Sequence, residues 1–383
     1  MPYLPLRFCC ALLALALLLP GSAHATAEVH KAVGAGPLYP DKPEMLLQAL
    51  DRFYAGANPA PPPGRLFAIV APHSGYGLSG AIAAQAFKSL TPGQFDKVIV
   101  LGPSHFRNIE GCSIPAVTFF ETPFGLVTLQ ESIIRELCYS PMITMRGLRY
   151  EGGSSRKQLH EQEYSIEMVL PFLQERLSRF TLVPVLVGEM NDTNGMVDPT
   201  RVEAVADTIR EVLDERTLLV ISTDFTHYGH DFSFKPFVDN AVENIQALDD
   251  RAYGRILEKD FDGFLRFLEK TGDPICGADA LLVLLKILPK NTIPILHASG
   301  ISMAQTGDPN RSVSYASFSF YLPNQEGGDP QSNVVRSLTL TPEKQEFKVL
   351  DGSGTVEGDP LPPPNETPAP APSNAGGPES NEP

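Results

Sequence analysis

Six short runs dense in Val, Ile and Leu, at 66–70, 97–101, 181–187, 217–222, 293–298 and 312–322, constrain this chain more than any other feature. They do not alternate strictly between apolar and polar residues. Each therefore reads as a strand buried on both faces, as strands of a mostly parallel sheet are. Segments with helical periodicity fall between them, at about 41–55, 79–90, 127–138, 201–213, 238–258, 261–270 and 277–288. This alternation implies a single layered α/β domain, with a mostly parallel sheet flanked by helices on both faces. Residues 164–177 stay open, because their helical spacing is interrupted by Pro171, which breaks or kinks a helix interior.

The two ends of the chain read differently. Residues 1–25 run from Arg7 through an apolar stretch, Phe8 to Leu19, to Ala23-His24-Ala25, the layout of a secretory signal cleaved after Ala25. The apolar run is shorter than the roughly 20 residues a spanning helix needs. The expectation is an exported protein, periplasmic or secreted, with no membrane attachment after cleavage. From about 323 onward periodicity fades, and 351–383 is rich in Pro, Gly, Ser, Asn and Glu, including Pro362-Pro363-Pro364. Such a composition buries too little apolar surface to offset the cost of ordering, so this part reads as a disordered, Pro-rich acidic tail. The folded domain is expected over 26–322.

Charge narrows the partners. With 45 acidic against 30 basic residues, a formal charge of −15 and no run of Lys or Arg, the chain repels phosphate backbones. Nucleic acid is excluded as an expected partner. The sequence names neither a small-molecule or peptide ligand nor an oligomeric state.

Polar groups gather where the apolar runs end. Run 66–70 is followed by Ala71-Pro72-His73-Ser74-Gly75-Tyr76, run 97–101 by Gly102-Pro103-Ser104-His105, and run 217–222 by Thr223-Asp224-Phe225-Thr226-His227. Ligands bind in the crevice beyond the carboxyl ends of strands in open α/β sheets, so these turns deliver His73, His105, Asp224 and His227 to one edge. Singly, each histidine could be a structural residue; together they point to a shared site.

Cys9 and Cys10 fall within the signal, leaving Cys112, Cys138 and Cys276, an odd number, so at least one thiol is unpaired. Cys112 and Cys138 could pair with each other in an oxidising compartment. Cys276 directly precedes the helical segment 277–288, where the positive end of the helix dipole favours the thiolate. It is either a metal-binding thiolate or an inert buried cysteine. Asp224 likewise is either a strand-end turn residue or a group that orients His227, whose unperturbed pKa suits a general acid or base.

At these residues the chain resembles the Memo family, whose bacterial members are named AmmeMemoRadiSam system protein B. The resemblance is carried by the three strand-end motifs, by Glu163-Tyr164-Ser165-Ile166-Glu167-Met168, by Pro184-Val185-Leu186-Val187-Gly188, by Ile275-Cys276-Gly277 and by Ser312-Val313-Ser314-Tyr315-Ala316. It extends from about residue 32 to 321. It implies a fold similar to class III extradiol dioxygenases, which hold non-haem iron with two histidines and a carboxylate. In the Memo family a cysteine replaces the carboxylate and the metal is iron or copper. By position, His73, His105 and Cys276 are then the metal ligands and His227 a further active-site histidine, with Asp224 in the same motif.

The chain departs from that pattern at Tyr164, where relatives typically carry His, and at Phe106, a place often taken by another His. A phenol titrates near 10 and an imidazole near 6.5, so Tyr164 cannot act equally as a base at neutral pH. Two imidazoles and a thiolate suit copper, zinc or ferrous iron and leave coordination positions open. The candidate functions are a metal-dependent oxidoreductase, a non-catalytic metal-binding or redox-buffering protein, and a peptide-binding module with a vestigial site.

Overall fold

The structure, a computed structural model, describes residues 28–148 and 159–324. The signal expected at 1–25 and all but the first two residues of the tail expected at 323–383 lie outside them. In chain order the elements are β1 (Val29–His30), α1 (Pro43–Gly56), β2 (Gly64–Ala71), α2 (Tyr76–Phe87), β3 (Lys97–Pro103), β4 (Cys112–Pro115), β5 (Phe119–Thr122), β6 (Gly125–Thr128), α3 (Glu131–Leu137), β7 (Ile143–Arg146), α4 (Leu170–Leu177), β8 (Thr181–Val187), α5 (Pro199–Glu211), β9 (Thr217–Ser222), β10 (His227–Gly229), α6 (Ala241–Glu258), α7 (Phe261–Thr271), α8 (Ala278–Ile287), β11 (Ile293–Ile301), α9 (Ser302–Thr306) and β12 (Arg311–Pro323).

Nine strands form one sheet in the order β10-β12-β2-β9-β3-β8-β4-β7, with β11 also paired to β12. The block β2-β9-β3-β8 is parallel throughout. Its strands are the apolar runs whose burial on both faces the sequence signals; β9, for example, is buried at every position. Outside that block the sheet is mixed: β12 runs antiparallel to β2, β10 and β11, and β4 antiparallel to β8 but parallel to β7. A separate small sheet, β1-β5-β6, covers part of the stretch expected to be helical from residue 127. There Val127 faces inward between exposed Leu126 and Thr128, a strand alternation too short to stand out from the helix that follows.

Among the helices, α2 lies on β2, β11 and β12 and packs with α1 and α4, while α8 lies on β3 and β9 and packs with α5 and α7. Phe172 of α4 joins the first group by stacking on Phe87 at 5.3 Å and meeting Tyr76 at 4.9 Å. Pro171, which made this segment ambiguous, sits in the first turn of α4 after a 3₁₀ turn at Glu167–Val169. A proline is tolerated there because the first helical N–H groups have no intrahelical partner. No helix among the described residues is long and apolar enough to cross a membrane.

Register fixes where the strand-end turns emerge. Ala71 of β2 lies level with Ser222 of β9, and Leu101 of β3 level with Ile221 of β9. The motifs following these three parallel strands therefore leave the sheet at the same edge.

Candidate metal centre

Two backbone ties bring the strand ends and the α8 start together. The Thr223 N–H donates to the Ala71 carbonyl, and the Gly277 N–H donates to the Thr223 hydroxyl at 3.0 Å. A Cβ on Gly277 would stand 2.5 Å from Thr223 Cβ, so only glycine permits this approach. It seats Cys276 with its sulfur 3.2 Å from the Asp224 N–H, which donates to it.

The ligating atoms of His73, His105 and Cys276 all lie within 4.8 Å of one another. Cys276 Sγ is 3.3 Å from His73 Nε2, and the two imidazole rings cross nearly at right angles with centroids 5.0 Å apart. Bonds of about 2.1 Å to nitrogen and about 2.3 Å to sulfur around one ion place ligand atoms at roughly these separations.

The outer edges of both rings are already occupied. His105 Nδ1 is 2.9 Å from Glu163 Oε1, and the other carboxylate oxygen accepts the His105 backbone N–H at 2.7 Å. Glu163 Oε1 also accepts the Ser165 N–H. His73 Nδ1 is 3.0 Å from Ser222 Oγ. The Ser222 hydroxyl donates its one hydrogen to the Ser165 carbonyl, so toward His73 it can only accept. Both Nδ1 atoms therefore carry hydrogen when the rings are neutral, and both Nε2 lone pairs are free for the centre. This is the arrangement found around metal-ligating histidines, whose other nitrogen donates to a carboxylate or similar acceptor.

Electrostatics completes the donor set. Burial alone would raise the Cys276 thiol in the metal-free site, but the His73 ring beside it and the Nε2–H donors that His105 and His73 carry when protonated bring it down to about 5; an ion would take the place of those Nε2 protons. Glu163 is likewise buried, yet His105 and the backbone N–H donors hold it at about 2. The site thus presents a thiolate and two imidazoles, with a carboxylate behind one of them. The donor set fits a soft or borderline transition ion.

The remaining residues singled out from sequence fall around this centre. Asp224 is buried; its carboxylate accepts the His73 backbone N–H at 2.9 Å and the Ser74 hydroxyl, fixing the turn that carries His73. It does not orient His227. Instead, His227 Nδ1 is 2.7 Å from the Phe225 carbonyl, and its ring meets Phe232 edge-on at 4.9 Å. His227 still bears electrostatically on the Cys276 sulfur. Tyr164 stacks on His105 at 5.3 Å with rings 15° from parallel, and burial pushes its phenol upward. Phe106 meets both rings edge-on, 6.5 Å from His105 and 6.3 Å from Tyr164.

The pairing open to Cys112 and Cys138 is not made: both are free thiols. Glu163 and Ser222, which set the two imidazoles, received no role from sequence. Their signal was adjacency, since Glu163 opens the Glu-Tyr-Ser motif and Ser222 closes the β9 run.

Comparison with known proteins gives the family. The family described as Memo-like protein matches residues 30–319. The chain is 32% identical over 277 residues to Protein memo-1 homolog of Caenorhabditis elegans, covering 68% of this chain and 74% of that one. It is 30% identical over 300 residues to Protein MEMO1 of Danio rerio, covering 75% and 95%, and 29% identical over 281 residues to Protein MEMO1 of Homo sapiens, covering 72% and 87%. A crystal structure of an uncharacterised Escherichia coli K12 protein superposes with a TM-score of 0.40 at 11% identity, covering 67% of this chain and 99% of that one. With its strand-end motifs converging on two histidines and a cysteine, the chain belongs to the Memo-like protein family.

Proposed function

We propose that this protein is an exported, metal-dependent oxidoreductase that holds one redox-active ion, iron or copper, through His73, His105 and Cys276. The observation that carries this reading is the occupation of both Nδ1 edges, which turns two Nε2 lone pairs toward a thiolate. A ferrous or cuprous ion held by these three residues would supply one-electron chemistry. The layering that this reading assumes places helices on both faces of the sheet, as in class III extradiol dioxygenases.

Each surrounding residue then has a task. Glu163 and Ser222 orient the rings, and Asp224 holds the turn that carries His73. His227, with Nδ1 on the Phe225 carbonyl, offers Nε2 as a proton donor or acceptor for a small reduced substrate. Tyr164 keeps its proton and covers one face of His105.

One observation favours a second reading, a metal-binding or redox-buffering protein without turnover. Tyr164, where the family resemblance implies His, is stacked on His105 and protonated, so the chain lacks a second imidazole base there.

The test is purification of the mature chain without air, with bound metals measured for wild type, Cys276→Ala and His105→Ala. One ion per chain, lost in both variants, is expected; an ion retained in both overturns the site. Oxygen uptake with a panel of catechols and other small reductants then separates the readings. A fully loaded protein with uptake at background supports the second. An N-terminus at Thr26 in the exported protein checks the compartment.

A further inference from the structure

A second group of buried polar atoms lies behind the turn that carries His227, without contact to the imidazole–thiolate centre. The Thr226 hydroxyl is 2.7 Å from Asp249 Oδ1 of α6 and 2.9 Å from Asp273 Oδ2, just beyond α7. All three side chains are buried. A hydroxyl has one hydrogen and can donate to only one of two carboxylates. The other contact is oxygen against oxygen unless a positive species lies between them.

The far sides of the group are unsatisfied as well. Asp249 Oδ2, Asp273 Oδ1 and the hydroxyls of Tyr253 and Ser314 are buried without a well-formed hydrogen bond, the Ser314 hydroxyl lying near enough to Asp249 to help hold its carboxyl down. Tyr253 is one helical turn after Asp249 on α6, so the two share a helix face. Its ring is fixed against Phe225 at 4.9 Å and Phe318 at 5.7 Å, and its hydroxyl feels the fields of Asp249 and Asp273. Buried polar atoms are usually partnered, and here several unpartnered ones gather around two buried carboxylates, which leaves room for an occupant that they share. One shared proton would settle the Thr226 edge alone. The outer oxygen of Asp273, Oδ1, would stay bare.

We propose that Asp249, Asp273 and the Thr226 hydroxyl form a buried site for a hard divalent cation, calcium or magnesium, separate from the centre of His73, His105 and Cys276. Two carboxylates match the charge of such an ion, and an all-oxygen donor set selects it over the softer ions suited to nitrogen and sulfur. Arg251 also acts on Asp273, but its guanidinium lies over the Phe267 ring, 5.9 Å from the centroid. Because α6, the end of α7 and the strand-end turn all contribute, the ion would brace the segment holding His227.

The experiment uses the full mature chain, stripped with chelator and held at pH 8 so that protons do not compete. Ionic strength is kept constant with tetramethylammonium chloride. Calcium or magnesium is expected to bind at one site by calorimetry and to raise Tm by several degrees, in wild type and equally in Cys276→Ala. Both effects are expected to vanish in Asp249→Asn and Asp273→Asn. Terbium provides a readout that does not require those variants to fold. The chain has no Trp, so tyrosine must sensitise the ion's luminescence, and Tyr253→Phe is expected to remove a calcium-displaceable signal. No heat and no Tm shift with either ion would show that a proton occupies the group and would overturn the proposal. So would responses that survive both Asn variants, or an equal response to sodium or potassium.

Discussion

Glu163 grips His105 at two points, taking its ring Nδ1–H with one carboxylate oxygen and its backbone N–H with the other. The ring can then neither flip nor change tautomer without losing its Nδ1–H contact, while the backbone tie keeps the carboxylate in place to receive it. Glu163→Gln keeps the shape but removes the charge and makes one of the two acceptors a donor. Metal affinity is expected to fall about 10- to 100-fold, as for outer-shell partners of ligating histidines. Competition against a chelator of known affinity measures it, and unchanged affinity would mean that the grip is structural only.

Cys276 provides a pH test in the metal-free protein. Its thiol is brought down to about 5, so the nucleophilic thiolate is present above that pH and lost below it. Alkylation by iodoacetamide is expected to rise through a midpoint near pH 5 and to level off before pH 7. Cys112, whose buried thiol is pushed upward, is expected to react only on unfolding. A midpoint near the ordinary thiol value of about 8.5 would contradict the described electrostatics.

Gly277 tests whether geometry alone can abolish the site. Gly277→Ala places a methyl 2.5 Å from the Thr223 side chain, which must shift the α8 start and carry Cys276 with it. Metal loading is expected to drop at least tenfold although all three ligands remain. Circular dichroism should report an intact fold.

The Asp249 and Asp273 pair sets a stability profile in chelator. Burial raises Asp249 to about 6 and Asp273 to about 7, so the folded state retains protons that the unfolded chain has released. Stability is then fully present below the unfolded carboxylate value near 4 and declines as pH rises through 6 and 7. Asp273→Asn is expected to match wild type at pH 4 and to exceed it at pH 8 by on the order of 2 kcal/mol. Denaturant titrations at the two pH values check this.

The parts of the fold legible in the sequence were those whose burial leaves a pattern. The strands of the parallel block are apolar on both faces, and β8 and β9 appeared with the bounds they have in the structure. Helices α5 to α8 were found to within a few residues by their periodicity. The four-residue strands β4 to β7 were not, because so few positions cannot establish a period, and their pairing is set by partners distant in the chain. The site was half legible. His73, His105 and Cys276 stood out as chemistry at element ends, and the fold brings them together. The roles of Ser222 and Glu163 were not visible, because a residue that orients a ligand carries no spacing of its own. Asp224 was assigned to the wrong histidine, since its carboxylate accepts the His73 backbone N–H across the sheet while His227 turns its Nδ1 to the Phe225 carbonyl.

The sulfur of Cys276 and the ring of His73 meet across 203 positions of chain, and His105 joins them from the end of β3. Few unfolded conformations hold all three donors within one ion's reach, so an ion bound there would link occupancy to folding. Each tenfold excess of ion over its dissociation constant adds about 1.4 kcal/mol to the folded state. For such a protein, resistance to heat and proteolysis becomes a gauge of how much metal its surroundings contain.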